Sequence, residues 1–150
     1  MEYIELLGSQ LKNDVLIDLF ETYDVDVVYR YDRSHEGMDD EYIAEIPEMG
    51  LEFIFDSSQR LTTLFMKNVD HTGFNPFNGS DPRSVPFKTG VEAMGWAQKR
   101  SIDAVHQESK KDDIFGVIPE WVKLNFETFY MHYQFQDNCL ETVTLQVRNA

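Results

Sequence analysis

One cysteine, Cys139, stands in 150 residues, so no internal disulfide can form, which fits a reducing compartment. Basic side chains are scarce: 13 Lys and Arg face 27 Asp and Glu, a formal net charge of −14. A bare acidic surface repels DNA, RNA and anionic lipid, so neither nucleic acid nor a membrane is the expected partner. No apolar run approaches the roughly 18 residues that suggest a membrane span. The N-terminus, MEYIELLGSQLKND, is acidic where a signal peptide is basic and has no apolar stretch, so the expected location is the cytoplasm.

Chemical motifs are equally scarce. His35, His71, His106 and His132 are far apart and form no HxH or HExxH pair. The chain has no GxSxG, no P-loop and no GxGxxG. The doublets Asp39-Asp40 and Asp112-Asp113 lack the alternate spacing and terminal Glu of a calcium loop. Cys139 has no basic sequence neighbour to lower its pKa. The expectation is therefore no catalytic residue, no metal and no cofactor.

What is present describes one globular domain, residues 1–150. A composition 42% hydrophobic and 13% aromatic is not that of a disordered chain. A chain of this length buries about 70% of its unfolded surface and needs no staple.

Ile4, Leu7, Leu11, Val15 and Leu19 recur at helical spacing, which predicts an amphipathic helix from Tyr3 to Tyr23. Val25–Tyr31 and Glu41–Ile46 read as strands. Between them His35–Asp40 reads as a loop bent at Gly37. Leu51–Asp56 and Leu61–Met66 flank Ser-Ser-Gln-Arg as a hairpin, with Leu51, Phe53 and Phe55 on one face.

Asp70–Pro86 holds two Gly and three Pro and reads as a long ordered loop, a common place for function. Thr89–Ser109 reads as an interrupted helix whose second piece Ser101 caps, followed by a solvated turn at Lys110–Asp113. Trp121 is read as a lid on the core, Trp96 as close packing, and His132 as an exposed cross-strand residue. The runs around Asp137-Asn138 form a closing hairpin, with Phe129, Met131, Tyr133 and Phe135 on one face. The predicted fold is α+β: an N-terminal helix packed on an antiparallel sheet of about five to seven strands, with a short interrupted helix in the middle.

The charge is uneven. Residues 1–75 hold 17 acidic and 5 basic side chains, and residues 76–150 hold 10 and 8. The stretch His35–Asp56, HEGMDDEYIAEIPEMGLEFIFD, carries eight carboxylates and no Lys or Arg. Such a concentration serves solubility, or it meets a basic partner.

The order of segments resembles a family of small acidic bacterial immunity proteins that neutralise polymorphic toxins of contact-dependent, Rhs or type VI systems. The landmarks are EIPEMGLEFIFD, LTTLFM, a turn-rich loop ending VPF, VIPEWVKLNF, MHYQF and LETVTLQV, which together span most of residues 41–147. In place of a Ser-Arg, Leu-Gly-x-Pro pattern the helical segment reads GVEAMGWAQKRSIDAVHQ, which leaves the subfamily and its toxin open.

The resemblance implies a binding protein without catalytic residues, whose partner is a cognate toxin domain. A toxin that attacks nucleic acid is commonly basic. The acids Glu36, Asp39, Asp40 and Glu41 would then steer the encounter. Asp70, His71, Phe74 and Phe77, in the long loop, would supply contacts and anchors. Two other readings remain: a cytoplasmic regulatory or housekeeping binding module without a toxin, and a small hydrolase with an unrecognised carboxylate site.

Overall fold

Alternation of apolar and polar residues along the strands builds the core. The computed structural model describes residues 3–31, 37, 39–68, 73–77, 87–137 and 139–148. A 3-10 turn, Tyr3–Leu6, precedes helix α1 (Asp14–Thr22) and strands β1 (Val28–Arg30), β2 (Glu41–Ile46), β3 (Leu51–Phe55) and β4 (Leu61–Lys67). Helix α2 (Gly90–Lys99) leads into β5 (Asp103–Gln107), β6 (Lys110–Asp112), β7 (Gly116–Ile118), β8 (Glu120–Asn125), β9 (Phe129–Gln136) and β10 (Cys139–Val147).

Among the described residues, eight strands form one sheet in the order β1-β2-β3-β4-β10-β9-β8-β5, and β6 and β7 form a separate pair. All the pairings are antiparallel. Two meanders thus meet where β4 pairs with β10.

The register carries one apolar row across the sheet: Ala44, Phe53, Leu64, Leu145, Met131 and Leu124. A second row runs Ile46, Leu51, Met66, Val143, Tyr133 and Val122. All twelve are buried. Burying each large side chain contributes about 1.5–3 kcal/mol.

Both helices cover this face. Asn13 caps α1 by accepting from the Val15 N–H at 2.9 Å. The helix buries Leu16, Leu19 and Phe20, and the Phe20 ring stands edge-on to Phe53 at 5.2 Å. Thr89 caps α2, whose buried Ala93 and Ala97 let it lie close to β5 and β8. Its first residue explains the closeness. A Cβ on Gly90 would stand 2.6 Å from His106 Nε2 and 2.7 Å from Glu120 Oε2. Glu120 accepts from the Gly90 N–H at 3.2 Å and meets His106 Nε2 at 2.7 Å, which places a carboxylate at the positive end of the helix.

Several expectations are corrected here. The sheet has eight strands among the described residues, beyond the five to seven expected. The N-terminal helix begins at Asp14, not near Tyr3, because Gly8 adopts φ +84 and Ser9 and Leu11 exchange backbone bonds with Leu61 and Gln59. The second helical piece is strand β5. Ser101 takes a left-handed φ of +55 and ends α2, and Ala104 and His106 then alternate with exposed Val105. Lys110–Asp112 is a strand, not a turn. Asp137 has the positive φ expected of the closing hairpin; Asn138 lies outside the described residues.

The opposite face of the sheet carries half-buried Phe65, Trp121, Tyr130 and His132, and no described helix packs on it. Trp121 therefore lies away from the core, its ring 5.2 Å from and tilted against that of His132, which is half-buried rather than exposed. Trp96 does pack as expected, at 5.8 Å from Phe87. No described helix is long and apolar enough to cross a membrane.

Candidate partner-binding surface

β1 is a short edge strand with all three residues exposed. It is held by pairing with β2, in the register Val28↔Ile43, Tyr29↔Tyr42 and Arg30↔Glu41. The register places Tyr29 beside Tyr42, with ring centroids 5.0 Å apart, and Tyr31 stacks on Tyr29 at 6.0 Å. Tyr29 and Tyr31 are about half exposed, 49% and 50%.

One acid of the β1–β2 connection, Asp40, meets these rings. The Tyr29 hydroxyl donates to Asp40 Oδ2 at 2.6 Å. This bond, with Asp40's negative charge nearby, pushes the Tyr29 pKa up to about 12. Glu41 pairs across the strands with Arg30, an exposed contact of little net stability, about 0–1 kcal/mol. Asp39, next in the chain to Asp40, is exposed. Carboxylates next to exposed aromatic faces form a surface that accepts Lys and Arg, by charge and by cation–π contact.

The surface continues onto the outer face of β2. A shallow depression of about 290 Å³ has Val28, Ile43 and Pro47 in its lining, with Asp26 and Glu45. Glu45 lies directly opposite Glu52 in the register, and like charges so placed repel. Lys67 relieves Glu52 at 3.6 Å; Glu45 is exposed. Asp56, by contrast, serves the β3–β4 turn, accepting from the Ser58 and Arg60 N–H groups at 2.9 and 3.0 Å.

The predicted site residues divide. Asp40 meets Tyr29, Glu41 pairs with Arg30, and Asp39 is exposed next to them in the chain. Glu36, Asp70 and His71 lie outside the described residues. Phe74 and Phe77 are half-buried and tied to the fold. Lys67 Nζ lies 5.2 Å from the Phe74 ring, and Phe77 stands edge-on to Tyr3 at 5.7 Å. The Asn75 N–H donates to the Pro47 carbonyl, so this segment sits at the far end of β2 from Glu41. At about 3.3 Å per residue, the two groups are roughly 17 Å apart along the strand.

Sequence reading missed the tyrosines, taking Val25–Tyr31 only as a strand. The available signal was Tyr29 and Tyr31 at period two beside an acidic loop.

Other candidate chemistry is thin. Among the described residues no group of three or more His, Cys, Asp and Glu could hold a metal ion. Cys139 is exposed. Comparison with protein-family models, with curated proteins and with solved structures gives no match.

Proposed function

We propose that the chain is an immunity protein: it binds and neutralises a cognate antibacterial toxin domain, a basic nuclease, through the acidic tyrosine edge of β1 and β2. The observation that carries this reading is the meeting of Asp40 with exposed Tyr29, on which exposed Tyr31 stacks, with exposed Asp39 and Arg30-paired Glu41 on either side of Asp40 in the chain. Solubility alone asks for dispersed charge and does not ask for aromatic rings among the acids. Carboxylates steer a cationic partner and raise its association rate, while tyrosines supply contact area at small entropy cost. The resemblance of residues 41–147 to immunity proteins points the same way.

The experiment pairs this chain with the toxin domain encoded by the adjoining gene. Producing the toxin domain in bacterial cells arrests growth, and co-producing this chain restores it. Replacing Tyr29 and Tyr31 with Ser weakens protection while the purified variant keeps the wild-type circular dichroism spectrum. The absence of an adjoining toxin gene, or equal killing with and without this chain, contradicts the proposal.

A further inference from the structure

The two most exposed large apolar side chains of the described chain crown the arm formed by β6 and β7: Ile114 is 84% exposed and Phe115 79%, and Val117 in the same arm is 59% exposed. The arm prolongs the β5–β8 pair and stands as its own two-stranded sheet, paired Lys110↔Ile118, Lys111↔Val117 and Asp112↔Gly116. Its turn is fixed. Asp112 Oδ1 accepts from the Ile114 N–H at 2.8 Å and the Phe115 N–H at 3.0 Å, and Gly116 takes φ +75. The two apolar side chains are thus presented on an ordered turn, so docking them carries little further ordering cost.

A groove of matching character lies beside α1. Leu11, Ile17, Phe20, Val25 and Val27 line it, Glu21 and Asp24 form its acidic rim, and its volume is about 370 Å³. Ile17 and Val27 are each 38% exposed. The arm brings exposed Lys110 and Lys111 behind its tip, beside Asp113, while the Asp112 carboxylate is turned onto the turn's own N–H groups. Apolar tip and lysines therefore match apolar floor and acids.

The two lie on different parts of the sheet. The arm extends from the edge strand β5, whereas α1, which lines the groove, packs through Phe20 on Phe53 and Phe55 of β3. Five strand spacings of about 4.8 Å separate β3 from β5, roughly 24 Å along the sheet.

We propose that the Ile114–Phe115 tip of one copy docks in the α1 groove of a second copy. Each copy offers one tip and one groove, so the contact is heterologous. The net charge of −14 on each copy opposes it, which makes the association weak and favoured when salt screens that charge. This inference does not depend on the toxin reading.

Sedimentation equilibrium, from roughly 10 μM to 1 mM protein at about 0.15 and 0.5 M salt, tests it. The wild-type mass rises with concentration above the 17.6 kDa monomer. An Ile114→Ser/Phe115→Ser variant and an Ile17→Arg variant, both folded by circular dichroism, each stay monomeric. Mixing the two restores a one-to-one pair, because one supplies an intact groove and the other an intact tip. A wild type that stays at 17.6 kDa throughout overturns the proposal and leaves the tip to a different protein. A variant that self-associates like the wild type, or a mixture that does not pair, overturns it as well.

Discussion

The Tyr29 hydroxyl donates to Asp40 Oδ2 at 2.6 Å, joining the edge strand to the acidic connection that follows it. The bond links an aromatic contact surface to the charge beside it. It also has a titration signature. The Tyr29 pKa moves from an ordinary 10.0 up to about 12, chiefly through this hydrogen bond. Protonated Tyr29 therefore favours the folded chain below pH 10, and that contribution is lost between about pH 10 and pH 12. Ring resonances followed by NMR will show Tyr29 titrating near the top of this range, and Asp40→Ala will bring it back toward 10.0. An unchanged titration in the variant would show that Asp40 is not the partner.

Two glycines allow the backbone to approach where no side chain fits, and they will differ in their tolerance. A Cβ on Gly50 would press against the Asn75 carbonyl oxygen and lie 2.8 Å from the Phe77 nitrogen, at φ +68. These are backbone atoms, so Gly50→Ala should cost about 3 kcal/mol or more. Gly90 faces side-chain ends of His106 and Glu120. Those can shift at the loss of their pair, so Gly90→Ala should cost about 1–3 kcal/mol. Urea unfolding midpoints check the order, and a milder effect at Gly50 than at Gly90 would contradict it.

His132 predicts a pH dependence of the opposite sign. Its burial, and then the positive charge of Lys123, hold its pKa below the ordinary 6.5. The folded chain therefore keeps it neutral, and stability falls as pH drops below about 6.5. Carboxylates also titrate on the way down, so the comparison is between wild type and His132→Gln. The variant should lose less stability between pH 7.5 and pH 5, which denaturant titrations at the two values measure. Parallel losses in both would assign the acid sensitivity to the carboxylates.

Phe53 is fully buried on the core face, in contact with Phe20 of α1. Phe53→Ala should cost about 3–5 kcal/mol in a denaturation curve. A cost below about 1 kcal/mol would mean that the surrounding core collapses around the gap.

Phe53, Phe135 and Tyr133 were legible as one face because strand periodicity is strict and burial follows it. Helical periodicity misled twice. Ile4, Leu7 and Leu11 keep helical spacing in a segment that Gly8 turns, and Ile102 and Val105 fit a helix although they flank and occupy β5. Three apolar positions in a short window fit either period. The arm at Lys110–Ile118 had no pattern to read, since its strands are three residues long and mostly exposed. At the candidate site the acids were legible as composition. The meeting of Asp40 with Tyr29 depends on the β1–β2 register, which no local pattern encodes. Phe74 and Phe77 were read as free anchors because aromatics in a turn-rich loop suggest contact; Lys67 and Tyr3 occupy them instead.

The central claim is that Asp39, Asp40 and Glu41 steer a basic partner. Stopped-flow association with the cognate toxin domain, at about 0.05 and 0.3 M salt, tests it most directly. Wild type is compared with the Asp39→Asn/Asp40→Asn/Glu41→Gln variant, whose surface changes should alter stability by no more than about 0.5 kcal/mol each. The account predicts an on-rate at least about tenfold lower for the variant at low salt, and a shallower fall as salt rises. Equal on-rates with equal salt slopes would contradict it, leaving the three carboxylates as solvating charge alone.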